Sequence, residues 1–131
     1  MDPRDAWNPR HIAAVSALWV FPAAVLHALN YGRLGRPELT RPTLVRNLVV
    51  ALLAYAVVPF IAVGGPDWPI VWALLVNAVG AVYFQRSQAI LYAKHIGRGG
   101  ERASVVGPAL GLFGLFAVAF LFLVLVASAL D

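Results

Sequence analysis

The chain has 131 residues, of which 61% are hydrophobic and 12% charged, with a net charge of +4 and no cysteine. A soluble domain carries about 25% charged residues, so this composition, with a mean hydropathy of +0.79, excludes an ordinary water-facing surface. The missing cysteines exclude disulfide staples, thiol catalysis and thiolate-bound metal.

A helix that crosses a bilayer needs ~20 mostly apolar residues, because it must carry its own backbone hydrogen bonds through ~30 Å of hydrocarbon. Four stretches meet that need and predict an all-α integral membrane protein: four transmembrane helices in an antiparallel bundle, one domain over residues 1–131. The first span is expected over 12–29, from Ile12 to Leu29. Within it Pro22 deprives the Leu18 carbonyl of its helical partner, which predicts a kink. No small-x-small cleavage site follows, so the stretch reads as a retained span rather than a signal peptide.

The second span is expected over 44–63, its start marked by Thr40, Arg41 and Pro42, with a further kink at Pro59. After the turn Gly64-Gly65-Pro66-Asp67 the third begins at Trp68, crosses to about residue 89 and continues to 96. That length exceeds the bilayer, so the helix should project into the cytoplasm and stop at Gly97. The fourth is expected over 104–130.

Eight of the ten Lys and Arg fall in two segments, Arg33, Arg36, Arg41 and Arg46, then Arg86, Lys94, Arg98 and Arg102. With four spans both segments share a side, and the positive-inside rule makes it the cytoplasmic one. Both termini and the Gly64–Asp67 turn would then lie outside, with Trp7, Trp68 and Trp72 at the outer interface and Tyr31 and Tyr92 at the inner. Arginine-rich, alanine-rich composition points to a multi-pass protein of a bacterial inner membrane. Nucleic acid is not an expected partner, because the basic residues flank apolar spans; membrane lipids are, with Arg33, Arg36, Arg41, Arg98 and Arg102 as candidate contacts for anionic headgroups. The plain alternative for these arginines is orientation during insertion alone.

On an ideal helix Asn77, Gln88 and His95 share a stripe of the third span, and with Gln85 they form a candidate polar path for an ion or small solute. The competing reading of Asn77, given more weight, is an amide that bonds a neighbouring helix. In the fourth span Gly107, Gly111 and Gly114 share a face suited to close helix packing, slightly favoured to be within the chain. His27 and His95 both fall near the inner face, but no carboxylate inside a span joins them, so no metal or cofactor is expected. No Ser, His and carboxylate converge for acyl transfer. The intramembrane carboxylate of small multidrug-resistance transporters and the aspartate run of CDP-alcohol phosphotransferases are also absent. The expected function is that of a small polytopic, non-enzymatic membrane protein, a homo-oligomer or a subunit of a larger membrane complex. The alternative is a small channel or transporter with its path along the third helix.

Overall fold

The computed structural model describes residues 5–57 and 65–130. It is all-α apart from one two-residue bridge. In chain order the elements are β1 (Ala6–Trp7), α1 (Pro9–Leu18), α2 (Val20–Arg33), a 3-10 turn (Pro37–Leu39), α3 (Thr40–Ala56), α4 (Trp68–Gly97), β2 (Arg102–Ala103) and α5 (Val106–Leu130).

The span expected over 12–29 is not one helix. Trp19 is extended, at φ −160° and ψ 124°, and ends α1 while opening α2. Pro22 then stands in the first turn of α2, where a missing N–H costs nothing. The expected kink is thus a complete break. The two helices fold back on each other, since Trp7 at the start of α1 bonds Asn30 near the end of α2. Arg33 reaches the Asp5 carbonyl at 2.8 Å. Residues 9–33 in one straight helix would hold these ends more than ~30 Å apart.

That hairpin also moves the N-terminal segment. Ala6 pairs with Arg102 and Trp7 with Ala103 in parallel register, and the Ala6 N–H donates to the Glu101 carbonyl at 3.1 Å. Trp7, Arg10 and His11 therefore lie at the end of the molecule that carries the two basic segments. The expectation that the N-terminal segment lies across the membrane from those loops is corrected by this pairing, and so is the place of Trp7 at an outer interface.

The α4 helix is as expected, 30 residues from Trp68 to Gly97, or ~45 Å. Beyond it, Gly99 at φ +83° turns the chain toward β2, a conformation in which a Cβ would be strained. The α4 and α5 helices are both long and apolar enough to cross a membrane, with mean hydropathy of 1.4 and 2.8 over their best windows. The described part of the second expected span is α3, seventeen residues to Ala56. Its continuation to residue 63, with Pro59, and Gly64 of the following turn lie outside the described residues.

The core is built around α2, whose Ala23, Ala24, Leu26, His27 and Ala28 are fully buried. Packed about it are α1, α3, α4 and the first half of α5. Small side chains at 23, 24 and 28 let these helices approach. At the elbow the approach is tight, because a Cβ on Gly80 would come within 2.8 Å of both Ser16 Oγ and Val20 Cγ2. The outside is apolar: Leu74, Val79, Leu121, Phe122 and Leu123 are all exposed. The buried set meanwhile includes Ser16, His27, Asn30, Asn47, Asn77 and Gln88. Polar inside and apolar outside is the arrangement a hydrocarbon solvent favours.

Candidate functional site

Breaking a helix in an apolar interior strands backbone groups, and each one buried without a partner costs ~1–3 kcal/mol. Asn77 on α4 supplies the missing partners. Its Oδ1 accepts from the Val20 N–H at 3.1 Å and its Nδ2 donates to the Leu18 carbonyl at 3.3 Å, the carbonyl that Pro22 leaves free. Ser16 Oγ donates to the Asn77 main-chain carbonyl at 3.0 Å, and the Tyr55 hydroxyl donates to Oδ1 at 3.0 Å. One amide thus joins both halves of the hairpin, α3 and α4.

A second polar cluster closes the other end of the hairpin. Asn30 Oδ1 accepts from the Trp7 N–H at 2.9 Å, and Nδ2 donates both its hydrogens, to the Trp7 carbonyl at 3.0 Å and to Gln88 Oε1 at 2.9 Å. Gln88 Nε2 donates in turn to the His27 carbonyl at 2.7 Å. Trp7 is held further by its indole N–H on the Ser104 carbonyl at 3.1 Å and by the Arg33 guanidinium 4.2 Å above its ring. Between the clusters lies His27. Asn47 Nδ2 donates to its Nδ1 at 2.9 Å, which leaves Nε2–H to donate to Ser87 Oγ at 2.7 Å and fixes the tautomer.

The four residues of the candidate path are placed differently from one another. Asn77 and Gln88 are buried against the hairpin with their amides occupied, Gln85 is exposed, and half-buried His95 abuts Gly100, past the Gln88 level. Among the described residues no three His, Asp or Glu converge as metal ligands. Two of the headgroup candidates have partners inside the chain: Arg33 holds Asp5 and Trp7, and Arg36 pairs with Glu38 at 2.5 Å. That pair also keeps the Glu38 carboxyl below its ordinary pKa, through the hydrogen bond from Arg36. Arg41, Arg98 and Arg102 are exposed.

The glycine face of α5 makes no packing contact with the described residues of the chain. A Cβ built on Gly107, Gly111 or Gly114 meets nothing within 4 Å, so the intrachain packing favoured from the sequence is not seen among the described residues. The contacts of α5 lie elsewhere on its surface, where Phe113 and Phe116 meet the Trp19 ring at the elbow, with centroids 6.1 and 5.8 Å apart. Sequence reasoning missed Asn30, Asn47 and Ser16. No signal marked them: Asn30 falls at the end of the first expected span and Asn47 near the start of the second, positions where a straight crossing places them in the headgroup region.

These features define a class, a helical protein whose apolar core holds hydrogen-bonded polar side chains, with an apolar exterior and two helices long and apolar enough to cross a membrane. No known protein family, curated protein or solved structure matches the chain.

Proposed function

We propose that this is a multi-pass, non-catalytic membrane protein that acts by lateral assembly, with further copies of itself or as a subunit of a larger membrane complex. The observation that supports it is the open face of α5, where Gly107, Gly111 and Gly114 stand clear of the chain and only Ala109 of the helix is buried. Glycines at this spacing allow close backbone approach between helices in lipid. The polar residues of α4 favour this reading over a solute path, because the amides of Asn77 and Gln88 are occupied in holding the hairpin.

In this reading α3, α4 and α5 cross the bilayer, and α1–α2 is a re-entrant hairpin. The α1 helix, ten residues long, measures ~15 Å and brings its elbow to about the midplane of a ~30 Å hydrocarbon layer. The N-terminal segment and both basic segments face the cytoplasm, and the end of α5 faces the other side. The test is native mass measurement in mild detergent, with crosslinking in the intact membrane. Particles larger than the 14.1 kDa monomer are expected, reduced in mass by Gly107→Leu with Gly111→Leu. A wild-type chain that is monomeric in detergent and forms no crosslinks in the membrane overturns the proposal.

A further inference from the structure

Helices α3 and α4 are joined by three side-chain ties, one of them the Tyr55 hydroxyl on Asn77, and between the other two lies a groove. At one end Arg46 donates to the Tyr83 hydroxyl; at the other the Trp72 indole N–H donates to the Ala54 carbonyl at 2.8 Å. Between them is a cavity of about 700 Å³, walled by apolar side chains such as Val50, Ala51, Val76 and Val79 and floored by Val20 and Phe84. Its size falls within the ~300–1,000 Å³ of ordinary ligand sites. From the level of Arg46 to that of Ala54 is ~12 Å along α3, and from Tyr83 to Trp72 ~16 Å along α4. One leaflet of a ~30 Å hydrocarbon core has the same depth.

The charge at the groove is confined to one end. Arg46 is exposed at the mouth, and the one ion pair among the described residues is Arg36 with Glu38, so no carboxylate among them pairs with the Arg46 guanidinium. Arg41, five residues nearer the N-terminus of α3, is exposed as well. A guanidinium presents planar paired donors that suit phosphate oxygens. An apolar slot one leaflet deep, with a guanidinium at its cytoplasmic mouth that gives one N–H to Tyr83 and has others to offer, is complementary to a single acyl chain joined to a phosphate.

We propose that the α3–α4 groove is a binding site for an anionic phospholipid, with one acyl chain along Val50, Ala51, Val76 and Val79 and the headgroup phosphate on Arg46. This rests on the membrane reading above but not on assembly. The headgroup contacts expected from the sequence did not include Arg46, and the site differs from diffuse attraction at the basic loops in having a defined slot.

The test is native mass spectrometry of the detergent-solubilised full chain, titrated with phosphatidylglycerol and, separately, with phosphatidylcholine of the same chains. Wild type is expected to retain one phosphatidylglycerol in preference to phosphatidylcholine. Arg46→Gln should weaken it about fivefold or more, the worth of one interfacial basic charge, and Arg46→Lys should weaken it less. Val79→Phe, which fills the slot from an exposed position, should weaken both lipids. Arg98→Gln, outside the groove, should change neither. Equal retention of the two lipids overturns the proposal, as does Arg46→Gln with wild-type affinity and an unchanged elution profile. Should Val79→Phe dissolve an oligomer and leave lipid binding intact, the occupant is a second copy and the lipid site is refuted. Because particle mass is read in the same spectra, loss of lipid from a still assembled particle, or its retention on a monomer, separates this inference from the proposed function.

Discussion

Asn77→Leu removes the group that makes the elbow tolerable, and its cost follows from the bonds lost. The substitution leaves the buried Val20 N–H and the Leu18 carbonyl without their partners at 3.1 and 3.3 Å. At ~1–3 kcal/mol for each stranded backbone group the loss is ~2–6 kcal/mol. Partners found in the unfolded chain within lipid lower that figure, since single hydrogen bonds between membrane helices measure ~0.6–2 kcal/mol. A value of ~3 kcal/mol is expected, a large part of a total stability of ~5–15 kcal/mol. Reversible unfolding in mixed micelles, followed by circular dichroism, reads it directly. Gln85→Leu, at an exposed position of the same helix, is the control and should stay within ~0.5 kcal/mol. Amide exchange at Val20 gives a local readout and should accelerate in the Asn77 variant alone. If Asn77→Leu matches Gln85→Leu in stability and leaves Val20 protected, the amide does not hold the elbow and the account of the hairpin is wrong.

Other consequences can be checked independently. The chain has no native cysteine, so Asp5→Cys and Asp67→Cys report topology cleanly. A membrane-impermeant thiol reagent should modify position 5 from the face that modifies Arg102→Cys, and position 67 only from the opposite face. Gly80→Ala pushes a methyl to 2.8 Å from Ser16 and Val20 and should cost ~1–3 kcal/mol by overpacking. Gly111→Ala, facing open space, should leave the unfolding midpoint of the monomer unchanged. Gln88→Leu leaves one hydrogen of the buried Asn30 amide without its acceptor and should cost ~1–3 kcal/mol, and limited proteolysis should then cut faster near Asn8.

The outer shape of the molecule could be read from composition, but its first quarter could not. The α4 helix has the expected start at Trp68 and the expected stop at Gly97 because Pro69, the glycines that follow and the apolar run are local signals. The elbow is not local. Hydropathy over Ile12–Leu29 records how apolar the segment is and not whether its backbone turns back on itself. Pro22 announces a stranded carbonyl at Leu18, and whether that produces a bend or a break depends on an amide 59 positions away. The error then spread to Trp7, placed at the outer interface only because the first stretch was assumed to cross. For Asn77, the helix-bonding reading agrees with the geometry, although the sequence could not name Leu18 and Val20 as its partners. The roles of Asn30 and Asn47 were hidden because a straight span puts both in the headgroup region, whereas the hairpin buries them against Trp7 and His27.

The bridge between Ala6–Trp7 and Arg102–Ala103 bears on the order in which the protein can be made. Ser16 leaves the ribosome 61 residues before Asn77, a delay of ~3–12 s at ~5–20 residues per second. For that interval the α1–α2 segment has no partner for its elbow, and β1 waits longer still for the strand after α4. Contacts this distant in sequence are slow to close. The hairpin therefore cannot be locked as it is made; its elbow stays without its partners until the later helices arrive to receive it.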